Sequence, residues 1–235
     1  MDLRNESPRR AVVLFDIDGT LIRRAGPHHR QALIDGIRDV TGVETTLDHI
    51  PTQGMLDRDI IAQMLTDAGV GLHTVRANMP AIVNRVQDVY LKLCPDLSHK
   101  TCPGTLRLLR ELQAERIPAG LVTGNLSAIA WKKMDAAGLR PYVQFGAFAE
   151  MADTRADLAR LALAQATDHG WVGPQTIISL VGDHPNDVNA ARRNGMRAVA
   201  VCTGVSPRSD LEASQPDQLF EDLELIGLDE LLGNG

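Results

Sequence analysis

Cysteine is scarce in this chain, and basic runs and long apolar stretches are missing; each absence removes a class of function. The three cysteines, Cys94, Cys102 and Cys202, stand at unrelated spacings. They make neither a disulfide framework nor a zinc-ligand pattern, and read as reduced structural residues, as expected in the cytosol. No run of Lys and Arg exceeds two residues, and the net charge is −6. That balance argues against nucleic acid as a partner. It leaves open a small anion bound at a locally positive site. No stretch approaches the ~18 apolar residues of a membrane span. The N-terminus, MDLRNESPRR, has no signal-peptide hydrophobic region. The expectation is a cytoplasmic protein, monomer or homodimer, with no membrane partner.

Four short apolar runs are present: Ala11 to Phe15, Ala119 to Val122, Ile177 to Val181 and Ala198 to Cys202. Continuous runs of this kind suit strands buried on both faces of a parallel sheet. Helical patterns separate the later ones. Thr105 to Arg116 repeats Leu at 106, 109 and 112. Ser127 to Ala137 turns Ile129 and Met134 inward and stops at Gly138, and Arg155 to Thr167 carries Leu158, Leu161 and Leu163. Alternating strand and helix implies an α/β fold with a parallel, Rossmann-like sheet. The stretch from Arg23 to His99 reads as helical throughout. It holds three apolar stripes, with Asp57 as the expected N-cap of the second and Pro80 as an expected kink or restart in the third. The domain reading is therefore a core of residues 1–22 and 100–235, interrupted by an all-helical insert at 23–99.

Three motifs follow three of the apolar runs. The first is Asp16-Ile17-Asp18-Gly19-Thr20. Two carboxylates two residues apart at the end of a buried strand lie where ligands bind in open α/β sheets. Like charges that close need compensation, which a divalent cation supplies. A solvated turn is the bland alternative for such a motif alone. The second is Thr123-Gly124-Asn125: a hydroxyl, a glycine that lets backbone amides near an anion, and an Asn expected to cap the next helix. The third is Asp183-His184-Pro185-Asn186-Asp187. A helix starting near Pro185 turns both acids to one side. Together the carboxylates make a hard, oxygen-rich site suited to Mg²⁺.

These motifs, in this order, resemble those of the haloacid dehalogenase-like superfamily, and the insert lies where that family places a helical cap. The resemblance implies strand order 3-2-1-4-5 and a Mg²⁺-dependent phosphatase acting on a small phosphorylated metabolite, such as phosphoglycolate or a sugar phosphate. It assigns Asp16 as nucleophile and Asp18 as acid and base. It gives Thr123, Gly124 and Asn125 to the phosphate, and Asp16, Asp18, Asp183 and Asp187 to the metal, Asp18 through its backbone carbonyl. The family's third motif normally supplies a Lys, yet no Lys follows Lys133. Arg155 is the expected substitute, ahead of Arg160, since a guanidinium can clamp phosphate oxygens. The loop around Gly54, Met55 and Arg58 is expected to face the site and select substrate, with His184 beside the metal. His28 and His29 are expected to face solvent. The alternatives are a phosphoryl mutase of the same superfamily, or a binding protein on a retired scaffold, which the missing Lys would favour.

Overall fold

The structure, a computed structural model, describes residues 8–23 and 26–233. The first seven residues, on which most of the leader reading falls, lie outside it. Six parallel strands form one sheet: β1 (Ala11–Phe15), β2 (Ala119–Val122), β3 (Phe145–Ala147), β4 (Ile177–Gly182), β5 (Arg197–Val201) and β6 (Gln218–Phe220). Their spatial order is β3-β2-β1-β4-β5-β6. This is the order that the resemblance implies, extended by one edge strand. β3 and β6 have three residues each, too short to show as apolar runs. β1 lies at the centre, with Phe15 in register with Leu121 of β2 and Val181 of β4.

Side chains alternate across a strand, and β1 divides its five accordingly. Val12 and Leu14 join an apolar cluster that runs through α6 (Arg155–Asp168) and α7 (Pro185–Arg193) and on into the insert. Ala11, Val13 and Phe15 join a second cluster with α4 (Thr105–Ala114), α5 (Ser127–Ala136) and α9 (Leu228–Leu232). α4 buries Thr105, Leu108, Leu109 and Leu112, which is helical spacing on a face shifted from the expected one. Leu106 is left at the surface. In α6 the alanines at 159, 162 and 166 face inward beside Leu158. After Ser206 the chain forms α8 (Arg208–Ala213), β6 and α9.

The helical insert comprises α1 (Pro27–Thr41), α2 (Asp57–Asp67) and α3 (Leu72–Leu93). α3 passes through Pro80 without interruption, although Pro80 has no N–H to donate there. Asp57 is not the N-cap of α2; Leu56 holds that position, in an extended conformation. The long apolar stripes of α1 and α3 meet at Gly36. A Cβ at that position would lie 2.4 Å from Val86 Cγ2 and 2.8 Å from its Cα.

Helix propensity favours Ala over Gly by about 1 kcal/mol in a helix interior. Overpacking against a neighbouring backbone costs about 1–3 kcal/mol, and here the steric cost wins. Gly36→Ala is therefore expected to destabilise by about 1 kcal/mol net and to lower Tm by ~2–4 °C. A thermal melt showing an unchanged or higher Tm would contradict that packing.

Candidate active site

β1 and β4 are neighbours and end together, so the residues just beyond them meet. Asp16 follows β1, and its N–H donates to Val181 O at 3.0 Å. Asp183 follows β4, and Asp187 lies in the first turn of α7. One carboxylate oxygen from each of the three falls within 4.8 Å of the others, and all three residues are buried. α7 starts at Pro185, as the sequence suggests. His184 caps it: its Nδ1 accepts from Asn186 N, while its own N–H donates to Asp187 Oδ2 at 3.1 Å.

The surroundings are built for a crowded anionic cluster. Thr20 Oγ1 donates to Asp183 Oδ1 at 3.0 Å. A Cβ at Gly19 or Gly204 would collide with the Asp183 carboxylate, at 2.4 and 1.6 Å. Arg155, the first residue of α6, donates from Nη1 to Asp16 Oδ1 at 3.0 Å and lies 3.0 Å from Asp187 Oδ1. Burial works against its charge, but Asp187 and Asp16 hold its pKa above the usual value. The expected substitute for the family lysine thus stands beside the expected nucleophile. Arg160 pairs with Asp157 at the surface instead.

One guanidinium does not balance three carboxylates. Burial, together with Asp16 and Asp187, pushes Asp183 up to about 8. Burial also pushes Asp187 up to about 7, against the pull of Arg155. Asp187 Oδ1 is buried and meets Arg155 Nη1 as an ion pair without hydrogen-bond geometry. An all-oxygen donor set of three buried carboxylates against one guanidinium fits a hard divalent cation such as Mg²⁺. Asp16, Asp183 and Asp187 are the side chains that would hold it.

Asp18 is expected at the metal only through its backbone carbonyl, and its side chain is engaged elsewhere. Its carboxylate does not join the acidic trio. Oδ2 instead accepts from Lys133 Nζ at 2.5 Å and from Asn125 Nδ2 at 2.8 Å. Burial raises its pKa, but Lys133 and His29, with the bonds from Lys133 and Asn125, outweigh that and hold it below the usual carboxylate range. Asn125 does not cap α5; Leu126 is the N-cap residue and makes no side-chain cap bond. The Asn125 side chain is spent on Asp18, on Thr123 Oγ1 at 2.8 Å, and as acceptor from Lys133 at 2.6 Å.

Nor is the start of α5 open to an anion. Leu126 N donates to Asp57 Oδ2, Ser127 N to Glu150 and Ala128 N to Gln87. Asp57 and Gln87 belong to the insert, so the insert docks on that helix terminus.

Asp16, Asp18, Thr123, Gly124, Asn125 and Arg155 all line one cavity of about 460 Å³, together with Asp183, His184, Gly54 and Met55. Gly54 has φ +66°, and a Cβ there would meet the His184 ring at 2.3 Å. Its carbonyl accepts from Asn186 Nδ2 at 2.9 Å. Burial, then Arg155, lowers the His184 pKa. Arg58, expected to meet a substrate anion, is not part of the lining and faces Asp153 at 3.7 Å. His29, expected in solvent, lines the cavity and pairs with Asp57 at 3.1 Å.

A family model described as haloacid dehalogenase-like hydrolase matches residues 11–195. The chain belongs to the haloacid dehalogenase-like hydrolases. It is 32% identical over 216 residues to a phosphoglycolate phosphatase of Synechococcus elongatus, spanning 89% of this chain and 92% of that protein. Among solved structures, it is similar in fold to a β-phosphoglucomutase from Clostridium difficile, with TM-score 0.69, 15% identity, and 96% and 98% of the two chains covered. It is likewise similar to CbbY from Rhodobacter sphaeroides, solved in complex with phosphate, with TM-score 0.68, 21% identity, and 94% and 98% covered. As a haloacid dehalogenase-like hydrolase the protein is an enzyme, and no helix among the described residues is long and apolar enough to cross a membrane.

The raised carboxyls make stability depend on pH. Folded Asp183 and Asp187 keep protons that the unfolded chain releases above about 4. Their stabilising contribution is complete below that pH and is lost as pH rises through about 7 to 8. Asp18, held low, acts in the opposite window and loses its contribution only as pH falls through the acid range. Chelator-treated protein is expected to show a Tm several degrees lower at pH ~8.5 than at pH ~5.5, at ~2–4 °C per kcal/mol. Saturating Mg²⁺ is expected to remove most of that difference, because the ion binds the ionised folded form. A metal-free Tm that rises over the interval, or Mg²⁺ without effect at the upper pH, would contradict the assignment.

Proposed function

We propose that the protein is a Mg²⁺-dependent phosphatase that hydrolyses a small phosphate monoester through a phosphoaspartate on Asp16. The observation that carries the proposal is the segregation of two neighbouring carboxylates. Asp16 lies in the acidic trio beside Arg155, whereas Asp18 lies on Lys133 and Asn125. Environments that separate two acids in this way assign them different roles.

Asp16 supports the nucleophilic role because Arg155 holds one carboxylate oxygen in place at the mouth of β1. A divalent cation on Asp16, Asp183 and Asp187 supplies the positive charge that lets an anionic nucleophile meet an anionic phosphate. Passing through a covalent aspartyl phosphate divides one difficult displacement into two easier ones. Asp18 stands ionised in the free protein, which is the form that activates water for the second half. A phosphate dianion entering beside it adds negative charge and raises its pKa, favouring the protonated form that the leaving oxygen needs. Thr123 lines the same cavity. Its oxygen already accepts from Asn125, so its own proton is available to a phosphoryl oxygen.

The cavity takes a small metabolite, and the named relative, a phosphoglycolate phosphatase, favours a short phosphorylated acid or a sugar phosphate as substrate. The binding-protein alternative drew its support from a missing cation. Arg155 and Lys133, both buried among the motif carboxylates, remove that support.

A panel of phosphorylated metabolites, tested with Mg²⁺ and with chelator, checks the reading. Inorganic phosphate is expected with Mg²⁺ alone, and Asp16→Asn is expected to cut kcat on the order of 10³–10⁶-fold with an unchanged circular dichroism spectrum. An isomerised phosphate in place of released phosphate would convert the reading to a mutase. Substantial turnover by Asp16→Asn would end the nucleophile assignment.

A further inference from the structure

Lys133 is a buried charge in the cavity that the family motifs do not explain. It sits on α5 with its side chain 1% exposed. Its ammonium has three protons, and three acceptors surround it: Asp18 Oδ2 at 2.5 Å, Asn125 Oδ1 at 2.6 Å and His29 Nδ1 at 3.3 Å. On the far side of the ring, His29 Nε2 lies 3.1 Å from Asp57 Oδ2. Leu126 N holds that same Asp57 oxygen at 2.9 Å. The Tyr90 ring packs edge-on to His29, with centroids 5.5 Å apart. His29, Asp57 and Tyr90 come one each from the three insert helices. The ammonium therefore sits at a junction that exists only while the insert is seated on the core.

The junction bears on one oxygen of Asp18. Lys133 and Asn125 both donate to Oδ2. Among the described residues Oδ1 has no hydrogen-bond donor, and Asp18 lines the cavity. We infer that Lys133, steadied by His29 and Asp57, is a positioning residue that clamps Asp18 Oδ2 and so presents Oδ1 as the oxygen that gives and takes the catalytic proton. This rests on the phosphatase reading. In the first half-reaction the Asp16 oxygen forms its bond to phosphorus as the phosphorus–oxygen bond to the alcohol breaks. The Oδ1 proton passes to the departing oxygen. In the second, water attacks phosphorus, its proton returns to Oδ1, and Asp16 leaves as carboxylate. Lys133 keeps its three protons throughout.

Leaving-group dependence separates this role from a merely structural one. An alkoxide needs the proton, whereas 2,4-dinitrophenolate leaves without it. Single-turnover release of the leaving group, with enzyme in excess, isolates the first half-reaction. The two esters are 2,4-dinitrophenyl phosphate and the best alkyl phosphate from the metabolite panel. Lys133→Met is expected to slow alkyl release roughly 100-fold and dinitrophenolate release less than about tenfold. His29→Leu, which keeps the ion pair but removes its support, is expected to show the same asymmetry at about tenfold on the alkyl ester. It decides the question if Lys133→Met does not fold. Equal losses on both esters, or no loss on either, would overturn the inference while the phosphatase reading stands. A wild-type protein that cleaves neither ester would instead defeat the reading beneath it.

Discussion

Three carboxylates forced together at the ends of two adjacent buried strands set the terms for the rest of this molecule. Asp16, Asp183 and Asp187 are buried within 4.8 Å of one another, which is costly without compensation. The chain answers with the Arg155 guanidinium, the Thr20 hydroxyl and the N–H of His184. Gly19 and Gly204 leave the Asp183 carboxylate space that any side chain would fill. Three carboxylates against one guanidinium leave an excess of negative charge that a hard divalent cation would balance. The strand order makes β1 and β4 neighbours, and that pairing delivers both acids to one point.

The insert is bound to this chemistry at close quarters. Asp57 and Gln87 take the amides at the start of α5, a terminus whose partial positive charge suits an anion. The helix dipole is thus turned toward holding the insert, and Arg155 and Thr123 are left lining the cavity. On the other side, Gly54 accepts from Asn186 and closes on His184. Two contacts, on α5 and on the start of α7, bracket the cavity between insert and core.

Much of this was legible in the residues, for local reasons. β1 and β2 fall on the apolar runs that foretold them, residue for residue, because a strand buried on both faces leaves no alternation to confuse it. The acids were visible because each motif is contiguous and follows a strand. Arg155 follows from the resemblance, which implies a cation near the start of the helix that precedes the Asp183 motif, and Arg155 is the cation there. Lys133 was not reachable in that way. It neighbours Lys132 on a helix whose faces spacing alone leaves ambiguous, and its partner Asp18 is 115 residues away. Asp57 had the residue type and position of a cap, yet it caps α5 rather than α2. Local pattern names a capping residue; tertiary packing decides which helix receives it. The three-residue strands β3 and β6 carry too little pattern to register.

The most direct test of the account is the covalent state of the enzyme during turnover. With substrate and Mg²⁺ present, the reaction is quenched in acid within its first turnovers, and peptides are mapped by mass spectrometry. The account predicts one added phosphoryl group on the peptide containing Asp16, localised to that carboxylate, and none when chelator replaces Mg²⁺. A phosphoryl group on any other residue, or rapid turnover with no phosphorylated peptide under conditions that preserve acyl phosphates, would contradict it.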